Sequence, residues 1–166
     1  MTFLELFRAE FDAEMKKTAR MLESIPDADF NWKPHEKSMT LGRLAGHLAD
    51  IPSRVSSIVH TNVLERPAGY VPFIAKSKSE ALEHFAQCSS EAKSVLQSIT
   101  EDQLNGEWTV KLAGKPLLEL PKAMALRMVM MNHLIHHRAQ LGVYLRLLDA
   151  PIPGMFGPSA DDTPRP

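Results

Sequence analysis

The sequence predicts an all-α protein: a four-helix bundle with a short β-hairpin before the last helix. Two observations lead to this fold class. Four long segments place apolar residues at three- and four-residue steps, as amphipathic helices do, and short extended runs occur only in residues 107–121. The 166 residues are the length of one domain. We expect the bundle to span residues 1–150, with a proline-rich C-terminal extension over residues 151–166 that packs on the bundle or trails from it.

The first two helices are predicted from their caps and apolar stripes. Thr2 and Glu5 have the spacing of a capping box at the start of a helix that runs to residue 25. A second helix over residues 40–60 begins at Thr40, a typical N-cap. Pro52 interrupts this second helix, and because the apolar period continues beyond it, we expect a kink there.

The remaining elements follow in order. Residues 61–76 are predicted to form a connector, and a third helix starts at Ser77, again in capping-box spacing with Glu80. Extended runs on either side of Ala113-Gly114-Lys115 indicate the hairpin. The last helix covers residues 121–149, and the five prolines that follow exclude a further helix.

Composition excludes several functional classes. The chain is 44% hydrophobic and 23% charged with a net charge of −1, which is typical of globular proteins and carries no basic footprint for nucleic acid or an anionic membrane. No uncharged apolar run reaches the roughly 20 residues of a membrane span. Cys88 is the single cysteine, so no intramolecular disulfide can form. Because acidic residues stand where the apolar part of a secretion signal would lie, we expect no such signal at the N-terminus. We therefore expect a cytoplasmic protein with neither a nucleic-acid nor a membrane partner.

Histidines in the last helix are the first candidate site. His133 and His137 are four residues apart and so share a helical face. Every other member of that face is apolar or aromatic: Leu126, Met130, Leu141, Tyr144 and Leu148. Both imidazoles should therefore point toward the core, where they need hydrogen-bond partners or a metal. The glutamate of the zinc-protease helix motif is absent between them, which excludes that class.

A third histidine lies on the second helix. His47 falls between Leu44 and Ile51 on that helix's apolar stripe. Three neutral imidazoles can form a three-ligand site with an open position, the pattern of a catalytic metal, and imidazole suits Zn, Ni, Cu and Fe. The alternative is that these are core histidines hydrogen-bonded to neighbouring helices.

Four segments resemble the DinB/YfiT-like superfamily of metal-dependent proteins: "NWKP", "TLGRLAGHLAD", "NHLIHHRAQLGVYLRLL" and "IPGMFGPSADD". The resemblance spans nearly the whole chain and implies a four-helix bundle, often dimeric. It also implies a divalent metal held by one histidine from the second helix and two from the fourth. Carried over by motif, the ligands are His47, His133 and His137. Ala139 departs from the family pattern, in which glycine often stands between the Arg and Gln.

The resemblance implies chemistry only in outline. Some relatives are transferases that use glutathione, mycothiol or bacillithiol, and one is a maleylpyruvate isomerase. We therefore predict a homodimeric, divalent-metal-dependent enzyme that carries Zn or Ni and acts on a small molecule. If the enzyme is an S-transferase, it also uses a low-molecular-weight thiol as co-substrate. The alternatives are a hydrolase or isomerase on the same site, or a non-catalytic, stress-related metal-binding dimer.

Other polar residues have less certain roles. Asp50 could support an imidazole of the site or form a surface ion pair. Arg138 and Gln140 could meet a substrate anion or the partner subunit. His84 is predicted to be exposed to solvent, and His136 lies on a neighbouring stripe with a role outside metal binding. No catalytic residue is assigned.

Overall fold

Helices dominate the computed structural model, which describes residues 1–162. The helices are α1 (Phe3–Glu23), α2 (Leu41–Asp50), α3 (Arg54–His60), α4 (Lys78–Ser98), α5 (Lys122–Ala125) and α6 (His133–Leu147). The strands are β1 (Val63–Arg66), β2 (Glu107–Leu112) and β3 (Lys115–Pro121). Short 3₁₀ turns cover Ile51–Ser53 and Glu101–Leu104, and a π-helical segment, Leu126–Asn132, joins α5 to α6. Together these elements form four helical arms and one small sheet.

The predicted helix starts are present. Thr2 and Glu5 form a complete capping box on α1, and the Thr40 hydroxyl accepts a hydrogen bond from the Arg43 amide at 3.2 Å. At α4 the box is only half made, because Glu80 accepts from the Lys76 amide and not from that of Ser77. These caps satisfy amides that no helical carbonyl can reach.

The second helical arm changes form at the expected proline. α2 ends at Asp50, a single 3₁₀ turn contains Pro52, and α3 continues the arm. Ile51 and Pro52 are both buried in this turn. The arm therefore keeps its apolar face through the interruption.

The structure contains a three-stranded sheet. It therefore corrects the prediction of an all-α chain with a short β-hairpin. β2 and β3 pair antiparallel across Ala113 and Gly114, both with positive φ. β1 adds to the free edge of β2 in parallel, with Val63 opposite Thr109. The sheet thus has three strands, one of them from the segment predicted as a connector.

The helical arms and the sheet share one apolar core. Its largest fully buried side chains are Trp108, Phe7, Phe11, Leu22, Ile25, Leu41, Leu44, Leu48, Ile51, Ile58, Leu96 and Leu126. Trp108 comes from β2, so the sheet is anchored to the helices by the largest side chain in the core. Within residues 1–162 no helix combines the length and apolarity needed to cross a membrane.

The buried stripe of α6 differs from the predicted one. Its most buried members are Leu134, Arg138, Leu141 and Leu145, whereas His133 and His137 are half-buried at the edge of that stripe. Arginine is rarely buried in a protein core unless it is paired. Arg138 is paired there with Glu14 of α1. The two histidines consequently face a boundary between core and solvent.

Residues 151–162 return along the bundle without regular structure. Arg146 on α6 forms an ion pair with Asp161 at 2.6 Å, and Met155 packs against the core. Arg20 on α1 donates a hydrogen bond to the Gly154 carbonyl. The last part of the predicted extension, residues 163–166, lies outside the described residues.

Candidate metal centre

Two helices bring the three predicted histidines together. His47 comes from the last turns of α2, and His133 and His137 come from the first two turns of α6. One ring nitrogen of each lies within 4.8 Å of the others, and the Nε2 atoms of His47 and His133 are 2.9 Å apart. The ring centroids are separated by 4.5 to 5.0 Å. The imidazoles therefore converge on one point.

Protonation of this cluster is strongly disfavoured. Burial, followed by the nearby charge of Arg54, lowers the pKa of His47 to about 4 and that of His133 to about 3. The pKa of His137 is also lowered by burial, against the opposing effect of its hydrogen bond to Gln140. At neutral pH all three rings are therefore uncharged, and His47 and His133 share a hydrogen bond between their Nε2 atoms.

Gln140 fixes the orientation of one imidazole. Its side-chain oxygen Oε1 lies 2.6 Å from Nδ1 of His137. Because that oxygen can only accept, Nδ1 carries the hydrogen and Nε2 is left as the free donor of electrons. This is the arrangement that holds metal-binding histidines in one tautomer.

Arg54 places a positive charge behind the cluster. The side chain is 7% exposed, and Nη1 donates to the Val129 carbonyl at 2.8 Å. Its Nε has no hydrogen-bond partner among residues 1–162. Although burial lowers the pKa of Arg54 to about 10, the group stays charged at neutral pH.

Glycines on α2 let the connector lie directly against the helix that carries His47. A Cβ at Gly46 would lie 2.7 Å from the Ala75 amide nitrogen, and one at Gly42 would lie 2.3 Å from the Ala75 carbonyl oxygen. The Ala75 amide also donates to the Gly42 carbonyl at 3.1 Å. Any larger side chain at either position would push this segment away from the site.

An open cleft of about 240 Å³ lies beside the histidines. His47 and His137 form one part of its wall, and Arg43, Arg66 and Tyr70 form much of the rest. A small molecule can thus approach the imidazoles from solvent.

The donor set fits a divalent transition-metal ion. The rings of three neutral imidazoles converge, and an ion between them would replace the hydrogen bond that joins Nε2 of His47 to Nε2 of His133. Imidazole is a common ligand for Zn, Ni, Cu and Fe. Three protein ligands with an adjoining cleft match a site that keeps a coordination position for a water or substrate.

Comparison with known proteins establishes the family. A model of the DinB family matches residues 1–164. The chain belongs to the DinB family. The resemblance seen in the sequence is thereby confirmed.

DinB-like crystal structures share this fold. One from Bacillus cereus ATCC 10987 has a TM-score of 0.71 at 22% identity and covers 92% of this chain and 97% of its own. Another, YjoA from Bacillus subtilis, has a TM-score of 0.67 at 18% identity and covers 90% and 97%. The uncharacterized protein YrdA of Bacillus subtilis strain 168 is 24% identical over 168 residues, covering 96% of this chain and 91% of that protein.

Asp50 and His84 form a separate polar cluster in this DinB protein. The His84 Nε2 lies 3.1 Å from the Asp50 carboxylate and 3.5 Å from the sulfur of Cys88, and its ring stacks on Phe73 at 4.1 Å. The predicted solvent exposure of His84 is therefore wrong, because its ring is half-buried against these groups. Asp50 pairs with His84, and neither of the predicted roles, support of a site imidazole or a surface ion pair, describes this half-buried contact.

The side chain of Arg138 lies inside the bundle. It donates to the Glu14 carboxylate at 2.5 Å and to the Thr18 hydroxyl at 3.1 Å, and it is 2% exposed. The predicted contact of Arg138 with a substrate anion or the partner subunit is wrong, because its side chain is buried and pairs with Glu14. His136 is exposed and stays outside the group of converging ring nitrogens.

Sequence reasoning selected Gln140 for a substrate anion or the partner subunit and missed its bond to His137. That bond had a usable signal, since a residue three positions after His137 lies on the same side of the helix. Arg66 and Tyr70 had none, because they reach the cleft from β1 and the loop after it. Their place depends on a strand that the sequence pattern did not reveal.

Proposed function

We propose that this DinB protein is a divalent-metal-dependent enzyme whose ion is held by His47, His133 and His137. The observation that carries the proposal is the convergence of three neutral imidazoles, from two helices, beside an open cleft. Neutral ligands leave the full charge of an ion available to polarise a substrate. Zn and Ni are the proposed metals.

The reaction we propose is S-transfer, in which the sulfur of a small thiol bonds to an electrophilic carbon of the second substrate. The bond from that carbon to its leaving group breaks, and the thiol proton is released to solvent. A divalent ion at the three histidines would hold such a thiol as its thiolate, the nucleophilic form. The chain's own thiol is unsuited to this role, because Cys88 is 5% exposed and burial, with help from Asp50, raises its pKa to about 11. A thiol nucleophile would therefore arrive as a co-substrate, through the cleft.

Metal content of the purified, untagged protein tests the site. We expect close to one Zn or Ni per chain, lost in both His47→Ala and His137→Ala. His136→Ala is the matched control, because it removes an exposed imidazole one position away. A wild-type protein that stays metal-free after incubation with Zn, Ni, Mn and Fe salts would overturn the enzyme proposal.

A screen of thiols against electrophiles tests the reaction. S-transfer predicts turnover that requires both metal and added thiol. Turnover without thiol would instead support the hydrolase or isomerase alternative. A metal-loaded protein that is inactive across several thiols and substrate classes would favour the non-catalytic alternative.

We also propose that the protein is a homodimer. Leu6 on α1 and Met124 and Met128 at the start of the last helical arm are exposed apolar side chains that could supply the interface. Size-exclusion chromatography with light scattering should give twice the 18.5 kDa of one chain, and Leu6→Glu should shift it to the monomer. A wild-type monomer at all concentrations would contradict the dimer.

A further inference from the structure

We propose that the cleft beside the three histidines binds a carboxylate of the substrate through Arg43 and Arg66. This inference rests on the proposed function in one respect, since it places the anionic end of the substrate next to the proposed metal. It adds a substrate class: a small molecule that carries a carboxylate in addition to its reacting atom.

The side chains of Arg43 and Arg66 are unlike the other arginines of the described chain. Within residues 1–162, neither guanidinium makes an ion pair or a hydrogen bond with another residue. The remaining six arginines of that range all donate hydrogen bonds: Arg8, Arg20, Arg54, Arg127, Arg138 and Arg146. The two arginines left without an acceptor are thus the two that line the cleft.

A tight turn places the ring of Tyr70 against the guanidinium of Arg66. Its guanidinium lies over the ring of Tyr70, 4.4 Å from the centroid. Pro67-Ala68-Gly69-Tyr70 closes with a hydrogen bond from the Tyr70 amide to the Pro67 carbonyl at 3.2 Å, and Gly69 has φ +80°, which the third position of a type II turn requires. Stacking on an aromatic face fixes the planar fork, which then loses little freedom when it binds a carboxylate.

Among the described residues, the wall of the cleft carries positive charge without a neighbouring negative charge in its lining. Within the described chain, the residues that line it include two arginines and no carboxylate. The nearby Asp50 is already bonded to His84. Since Arg–carboxylate pairs form strong, charge-assisted hydrogen bonds, the missing partner of Arg43 and Arg66 is best supplied by the ligand.

His47 and His137 share the cleft wall with these arginines. A molecule of a few heavy atoms in a space of about 240 Å³ can therefore contact the guanidinium groups at one end and the imidazole cluster at the other. The carboxylate could belong to the thiol co-substrate or to the electrophile, and the experiment separates these sources.

Calorimetric titration of the full chain, both zinc-loaded and metal-free, tests the proposal. The probes are mercaptosuccinate, which has a thiol and carboxylates, 2-mercaptoethanol, which has only the thiol, and succinate, which has only carboxylates. Arg43→Gln and Arg66→Gln should each weaken binding of the carboxylate probes about 10-fold, and the double variant more than either. Arg20→Gln is the control, since Arg20 bonds only a backbone carbonyl away from the cleft.

The probes identify the source of the carboxylate. Tighter binding of mercaptosuccinate than of either other probe, lost in the double variant, assigns it to the thiol. Succinate binding that depends on the arginines and persists under saturating 2-mercaptoethanol assigns it to the electrophile. Equal affinity of wild type and the double variant for both carboxylate probes would overturn the carboxylate site.

Failure of the proposed function gives a different result. A protein that binds no metal, or no thiol, would still show arginine-dependent succinate binding in its metal-free form if the carboxylate site exists. Zinc content and melting temperature of each variant, expected to equal those of the wild type, show that the substitutions leave the histidine cluster and the fold intact.

Discussion

His137 and Arg138 are adjacent in α6, yet they belong to opposite kinds of polar environment. Arg138 faces α1, where Glu14 and Thr18 satisfy it in the core. His137 faces α2 and the cleft, half-buried, with one nitrogen bonded to Gln140 and the other directed to the neighbouring imidazoles. One helical step of about 100° separates the two environments.

The difference shows how this fold separates stability from chemistry. Burial raises the pKa of Glu14, but hydrogen bonds from Lys17 and Arg138 outweigh it and hold the pKa below its usual value, so the buried pair stays ionised and internally neutralised. The histidine cluster is kept uncharged instead and has no such partner. A complete polar network locks two helices together, whereas an incomplete one at a cleft can receive a ligand.

The largest predicted effect is that of Arg138→Met, which removes the ion pair between Arg138 and Glu14. It leaves the Glu14 carboxylate buried with only Lys17 as its ionic partner, so the free energy of unfolding should fall by about 3 kcal/mol. Urea denaturation measures the loss, and zinc content should stay unchanged. The double variant Glu14→Leu/Arg138→Met should recover most of the stability. Loss of zinc in the single variant would show that the two environments are not independent.

Zinc should stabilise the folded protein only by binding to the histidine cluster. At zinc concentrations 100-fold above the dissociation constant, the wild type should gain about 2.7 kcal/mol, and His133→Ala should gain almost none. Melting temperature with and without zinc measures the gain, with His136→Ala as the control that keeps it. An equal shift in His133→Ala would place the ion elsewhere.

Gln140 offers a smaller perturbation of the same cluster. Gln140→Leu removes the acceptor from Nδ1 of His137 and should weaken zinc binding about 10- to 100-fold, whereas Gln140→Glu keeps an acceptor and should retain it. Competition with a chromophoric chelator gives both affinities. Equal affinities for the Leu and Glu variants would exclude an orienting role.

A further effect is expected on the pH dependence of the stability of the metal-free protein. The unfolded chain protonates histidine near pH 6.5, whereas the native pKa values of His47 and His133 are about 4 and 3. As pH falls below 6.5 the unfolded state binds protons that the native state refuses, so stability decreases. The slope approaches about 1.4 kcal/mol per pH unit for each imidazole.

Thermal unfolding between pH 7 and pH 4.5 checks this slope. His133→Gln removes one titrating group, so its stability should fall less steeply than that of the wild type. Coincident slopes would show that His133 does not resist protonation in the native state.

Local signals in the sequence predict much of this fold. Thr2, Thr40 and Ser77 mark helix starts because a cap acts over three residues, and Pro52 marks a break because it acts on its own turn. β1 escapes such reasoning, since a four-residue strand with alternating partial exposure is stabilised only by its partner β2, more than 40 residues away in the chain. The all-α prediction is incorrect for that reason.

The residues of the candidate site also divide into those that local sequence patterns predict and those that they do not. Four-residue spacing and two apolar stripes were enough to select His47, His133 and His137 for one cluster. The burial of Arg138 depends on Glu14, 124 residues away, and no periodicity reports such a pairing. Arg66 and Tyr70 depend on where β1 places a turn, so the chemical character of the cleft required the structure.

The π-helical segment Leu126–Asn132 also separates the two ends of the last helical arm. Its wider turns accommodate one residue more than an α-helix would. Deletion of one residue there would therefore restore a regular α-helix and leave α5 and α6 in their present angular relation. Single-residue deletions within this segment should be tolerated for that reason, because the angular setting of His133 and His137 would not change.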